Sequence, residues 1–151
     1  MPAERTTVDL VAGQKSSGEP VFEQVLVDRL DDGTYRIIAT PGLVLGIAAD
    51  DVVRVTPDSQ YELVERGRNL AVQVYGNHDL VDEVTKDVWE LGGALDGRAD
   101  NLTVYTIPVT AGFPKVERVF NDLVGRHPEV EWYFGNVYDN VDGVTPLNWW
   151  Q

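Results

Sequence analysis

The stretch Asn69–Gly93, NLAVQVYGNHDLVDEVTKDVWELGG, decides the fold. Asn69 to Tyr75 alternates with the period of a strand, and then the period lengthens. Leu80, Val84, Val88 and Leu91 recur at helical spacing, Asn77 or Asp79 can cap the helix start, and Gly92-Gly93 stop it. Working forward, Ala94-Leu95 and Leu102 to Val109 read as a hairpin around Asp96-Gly97-Arg98, its second member carrying the β-rich run Leu102 to Ile107. A second helix opens near Pro114, whose fixed φ suits a first turn. It places Val116, Phe120, Leu123 and Val124 on one face before Gly125 and Pro128 close it. Val130, Trp132 and Phe134 alternate in a last strand.

The order β-α-β-β-α-β over residues 69–138 is that of a ferredoxin-like unit, with two helices covering one face of an antiparallel sheet. Working backward, Phe22 to Leu30 reads as a strand, Asp32-Gly33 as a two-residue hairpin signal, and Thr34 to Ile38 as the returning strand. Val52 to Val55 and Tyr61 to Glu65 are two further strands, separated by the turn Pro57-Asp58-Ser59. The fold class predicted is α+β: a small antiparallel β-sheet or partial barrel followed by the ferredoxin-like unit. The expected divisions are a flexible N-terminal segment over 1–20, a small β half over 21–67, the ferredoxin-like half over 68–138 and an aromatic tail over 139–151.

Composition restricts what such a chain can do. Its 151 residues carry 25 acidic and only 12 basic side chains, a net charge of -13. So negative a surface repels nucleic acid and anionic lipid, and it steers basic partners into salt-sensitive encounter. No apolar run approaches the ~18 residues that span a bilayer, and the first twenty residues lack the apolar centre of a secretory signal. A cytoplasmic location is therefore expected, with no membrane and no nucleic-acid partner.

Gly33-Thr34-Tyr35-Arg36, Thr40-Pro41-Gly42, Gly46-Ile47-Ala48 and Asp50-Asp51-Val52-Val53, followed by the ferredoxin-like half, resemble an uncharacterised bacterial family known as a domain of unknown function. The resemblance spans about Glu19 to Asp139 and implies no catalytic residue. More loosely, the second half is similar in pattern to small acidic bacterial proteins that inhibit ribonuclease E.

Chemistry-bearing motifs are scarce. With no cysteine there is no thiol nucleophile, and no serine stands in a Gly-x-Ser-x-Gly elbow. Neither a Gly-x-Gly-x-x-Gly fingerprint nor a phosphate loop is present. The two histidines, His78 and His127, stand at predicted helix ends, where capping explains them. Calcium-loop spacing fails from Asp28, whose third and twelfth positions are Leu30 and Ala39, and from Asp139, whose third is Val141. No metal, cofactor or catalytic residue is expected. Asp31-Asp32 and Asp50-Asp51 read as turn chemistry.

The candidate partner-binding residues are acidic and aromatic. Asp82, Glu83, Asp87 and Glu90 share the polar side of the first helix, either as a solvated face in which Lys86 pairs with Asp82 or Glu90, or as a recognition surface. Beyond His127 there is no lysine or arginine, while Glu129, Glu131, Tyr138, Asp139, Asp142, Trp149 and Trp150 gather acids and rings. Tryptophan and tyrosine bury large rigid surfaces at little entropic cost, and an acidic rim selects a basic partner. Trp132 and Phe134 are expected in the core, whereas core and partner contact both fit Trp149 and Trp150. The resulting expectation is a non-catalytic inhibitor or immunity protein occluding a basic enzyme such as a nuclease or toxin. The alternative is a ligand-sensing ferredoxin-like module, a homodimer binding small molecules. An enzyme using scattered carboxylates such as Asp50 and Asp51 is the third reading.

Overall fold

Strand β1 (Glu4–Gln14) opens the computed structural model, which describes residues 4–151. It pairs with β2 (Pro20–Arg29), and β3 (Tyr35–Ile37), β4 (Val52–Val55) and β5 (Tyr61–Glu65) continue an antiparallel meander in chain order. Alternation along β2 turns Val25 and Val27 inward and Gln24 and Leu26 outward. Leu10, Val25, Val27, Ile37, Val44, Ile47 and Val53 form this half's core. The Val11 amide donates to the Ser59 carbonyl at 2.9 Å, so the β4–β5 turn reaches back to β1 and partly closes the sheet. Gly33 takes φ 81° in the β2–β3 connection, and Asp32 accepts from the Thr34 amide at 3.0 Å, as the Asp-Gly signal predicted.

The start of the chain corrects the sequence reading. Order was expected near Val21, yet Glu4 to Gln14 is the longest strand, pairing with β2 from Glu4↔Arg29 to Gln14↔Pro20. Leu10 is completely buried. The polar run Gln14 to Gly18 is the turn of this hairpin rather than a linker; residues 1–3 lie outside the described residues. Among the described residues the first half consequently has five strands, not four.

The second half comprises β6 (Asn69–Tyr75), α1 (His78–Val81), a 3₁₀ turn (Asp82–Val84), α2 (Thr85–Glu90), β7 (Ala94–Ala99), β8 (Leu102–Pro108), α3 (Phe113–Arg126) and β9 (Glu131–Phe134). The order β7-β8-β6-β9, antiparallel throughout, is ferredoxin-like. Leu70, Val72 and Val74 meet Val81, Val84, Val88, Val116, Phe120 and Leu123 in a second core. Two local details differ from expectation. The first helix breaks into two short pieces around a 3₁₀ turn, where β-branched Val81, Val84 and Thr85 crowd and the Thr85 hydroxyl meets Tyr105 Oη at 2.9 Å. Asp96-Gly97-Arg98 is no turn either: it lies within β7 at a bulge between Leu95 and Gly97, and the hairpin turns at Asp100-Asn101, with Asn101 at φ 55°.

The helices cover one face of the second sheet and the loop over residues 40–51 covers the other. This seam is polar. Asp96 accepts from the Thr40 amide at 2.8 Å and from the Thr106 hydroxyl, Gln73 Nε2 donates to the Gly42 carbonyl at 3.0 Å, and Asn69 Nδ2 donates to the Ala49 carbonyl at 3.0 Å. Buried Asp51 does more than turn the chain: it accepts from the Ala48 amide at 2.9 Å and the Gly67 amide at 2.8 Å, with Arg66 at 3.4 Å. Gly67 is required there, because a Cβ would come within 2.4 Å of Asp50. Desolvation pushes the Asp51 carboxyl above its ordinary range, against those donors.

The tail folds back on this frame. Trp149 Nε1 donates to the Asn136 carbonyl at 2.7 Å, Arg66 lies over the Trp149 ring at 5.4 Å, and Trp150 meets Phe113 edge-on at 5.1 Å. Arg68 donates to the Trp150 carbonyl at 2.9 Å. Deleting residues 146–151 is expected to lower the thermal midpoint by many degrees, read by circular dichroism; an unchanged midpoint refutes a structural tail. Asp51→Asn presents an amide N–H₂ to the Ala48 N–H or loses the Gly67 bond. The expected cost is about 2 kcal/mol, or roughly 4–8 °C in midpoint at this chain length.

Candidate functional site

An open groove of about 840 Å³ runs along β9. Antiparallel pairing of Tyr133 with Gln73 and of Glu131 with Tyr75 sets which side chains meet there. Alternation sends Trp132 and Phe134 towards the helix side, where they stack against Phe120 at 5.3 Å and Phe113 at 5.5 Å. Glu131 and Tyr133 point to the opposite side, and Tyr133 stands edge-on to Tyr75 at 6.0 Å. Glu117 and Asn121, one turn apart on α3, reach the groove from one flank. Leu43 and Leu45 close it from the first half, and Tyr138, Asp139 and Asn140 from the segment after β9.

The lining therefore holds the carboxylates Glu117, Glu131 and Asp139, the rings of Tyr75, Trp132, Tyr133, Phe134 and Tyr138, and no lysine or arginine. Tyr133 Oη donates to Glu131 at 2.9 Å, and this bond to the carboxylate raises the phenol's pKa. Asn121 Oδ1 accepts from the Trp132 indole at 3.0 Å and fixes its plane. Carboxylates beside ring faces attract cations twice over, by direct charge and by the ring quadrupole.

Of the residues expected from sequence, Glu131, Tyr138 and Asp139 come together here. Asp142 does not line the groove; it caps a turn, and the Thr145 hydroxyl, together with the Thr145 and Val144 amides that donate at 2.9 Å each, holds its pKa below the usual range. Trp149 and Trp150 are half-buried against the second core. Asp82 and Glu83 pair elsewhere than with Lys86: Asp82 with Arg98, and Glu83 with Arg126 at 3.3 Å and His127 at 3.0 Å. Asp87, Glu90 and Glu129 are exposed. Beside Asp87 and Glu90 stands Trp89, 73% exposed, which helical spacing alone did not single out.

Tyr75, Glu117, Asn121 and Tyr133 were not among the candidate partner-binding residues, although Tyr133 belongs to the run of aromatic residues after His127. Period-two alternation was the available signal for Tyr133, since it pairs with Glu131 on the face opposite Trp132. Glu117 had none, because its role depends on how α3 crosses β9. Among the described residues no three histidine, aspartate or glutamate side chains converge as metal ligands would, and no helix is long and apolar enough to cross a membrane.

An α+β protein with a partly closed β half and an acidic, aromatic groove on its ferredoxin-like half is thus defined. The chain belongs to the family described as a domain of unknown function (DUF4265), whose model matches residues 23–131. This bears out the resemblance read from the turn motifs, and no enzymatic family is indicated. Among proteins with curated descriptions none matches the chain. A solved structure, described as a novel crystal structure of a hypothetical protein from Neisseria gonorrhoeae, is similar in fold with a TM-score of 0.64. The two share 14% identity over 89% of this chain and 95% of that one.

The His127 bond is the largest influence lowering the Glu83 pKa, with Arg126 adding to it. His127→Ala is therefore expected to move the Glu83 carboxyl back up towards its ordinary range, followed by NMR titration. Because the folded value is depressed, the pair's contribution is present at neutral pH and lost as pH falls through that folded value. An unmoved Glu83 refutes the assignment.

Proposed function

We propose that this chain is a non-catalytic acidic binding module, an inhibitor or immunity protein whose groove along β9 occludes a basic partner enzyme such as a nuclease or toxin. The observation that carries this reading is the groove's lining, three carboxylates and five aromatic rings without one basic side chain. The net charge of -13 acts at longer range, drawing a cationic partner in before the groove engages it. Aromatic rings then supply rigid contact area, and the carboxylates supply selectivity.

A second reading has one observation in its favour. The groove's 840 Å³ lies within the range of small-molecule sites, so a ligand-sensing module, dimeric as many ferredoxin-like domains are, also fits. That reading calls for a thermal shift with a metabolite. The first is preferred because the groove lies open along a strand instead of enclosing a cavity.

Hexalysine is the simplest probe. It is expected to bind at about 20 mM salt and to weaken steeply as screening sets in above ~0.1 M. The variant Glu117→Gln/Glu131→Gln/Asp139→Asn should bind about tenfold more weakly, since three partly exposed carboxylates contribute roughly 0.5 kcal/mol each. Asp87→Asn/Glu90→Gln should change binding little. Equal losses in both variants would reduce the effect to net charge and refute the groove.

A further inference from the structure

Building on the groove reading, we infer that the free edge of β9 receives an extended basic segment of the partner as an added strand, so that main-chain pairing joins charge in recognition. β9 ends the order β7-β8-β6-β9, and among the described residues no strand pairs with its other side. An unpaired edge offers a row of N–H and C=O groups to an approaching chain. The groove lies along this edge and is lined from both faces of the strand: Trp132 and Phe134 on the helix side, Glu131 and Tyr133 on the other. A strand laid against it would send successive side chains alternately to those two sides. One set meets rings that stack on the second core. The other set meets a carboxylate and phenol faces. The matching segment alternates apolar and basic residues over about four to six positions, the reach of a four-residue edge at ~3.3 Å per residue.

Charge selects this occupant over a second copy of the chain. Pairing two β9 edges would bring the carboxylates of one groove against those of its twin, on chains that each carry -13. Like charges facing each other across paired strands are destabilising. Glu131 on the edge thus discourages self-association while attracting a cationic strand, which is how natural sheets manage exposed edges.

The test compares a terminally blocked peptide of three Lys-Val repeats with two backbone N-methylated isomers, one methylated at the lysines and one at the valines. In a strand only alternate N–H groups face a given neighbour, so one isomer loses the ladder and the other keeps it. The parent is expected to bind the full chain, to slow amide exchange in residues 131–134, and to outbind one isomer at least tenfold while matching the other within about threefold. Equal binding of parent and both isomers overturns strand addition and leaves the groove reading standing. If neither this peptide nor hexalysine binds at low salt, both readings fall. Sedimentation showing a dimer that the peptide does not dissociate also overturns the inference, because the second copy is then the occupant.

Discussion

Burial of β6 and β8 on both faces is the constraint from which the rest of the molecule follows. Helices press on one face through Leu70, Val72, Val74, Tyr105 and Ile107, and the loop from the first half presses on the other. The second contact pairs apolar packing of Gly42 against Leu102 and Val104 with a set of hydrogen bonds. Two separate hydrophobic clusters form, one in each half, and hydrogen bonds join them. A purely apolar seam tolerates sliding, whereas one crossed by the bonds of Thr40, Asn69, Gln73 and Asp96 has one geometry in which its polar groups are satisfied. Within the second half, buried Asn136 accepts from the Ala71 amide at 2.9 Å and donates to the Asn69 carbonyl at 2.8 Å, carrying the pairing past the end of β9.

With both faces of the central strands covered, the surface left for recognition is the sheet's margin. β9 is that margin beside the groove. It is short, half its side chains belong to the core, and the remainder stand next to carboxylates contributed by α3 and by the segment after the strand. Glu23 shows how the covering loop is held in place: its carboxylate accepts from three consecutive amides, Gly42, Leu43 and Val44, at 2.8–2.9 Å. Leu43, fixed in this way, forms one wall of the groove. The rigidity of the seam is therefore transmitted to the candidate site, which suits a site whose occupant brings its own ordering cost.

The acidic surplus divides into groups with different tasks. Asp51 and Asp142 hold backbone amides, Asp82 and Glu83 hold cationic side chains of neighbouring elements, and Glu117, Glu131 and Asp139 line the groove, Asp139 also accepting from the Val141 amide at 2.7 Å and Glu131 from the Tyr133 hydroxyl. A formal charge does not distinguish among these. The bulk value sets the long-range field and thereby the sign of an attracted partner, while placement decides which carboxylates remain free to meet it.

The elements themselves were legible because strand and helix periods differ, 2 against 3.6, and because Gly92-Gly93, Pro114 and Asp32-Gly33 punctuate them by backbone chemistry. From the order β-α-β-β-α-β the ferredoxin-like arrangement followed, while the acids and rings gathered beyond His127, with no lysine or arginine among them, made Glu131, Tyr138 and Asp139 candidates. What local pattern could not supply was anything resting on distant neighbours. β1 reads as polar, since most of its residues face solvent, and only pairing with β2 makes it a strand. Asp51 looks like a turn residue until Gly67, sixteen positions away, donates to it. The sequence by itself determined the sign of the charge and the kinds of elements, which depend on composition and on neighbours within a few residues. The groove, with Glu117 from α3 beside Tyr133 from β9, was decided by tertiary packing alone, because its members converge only when one element crosses another.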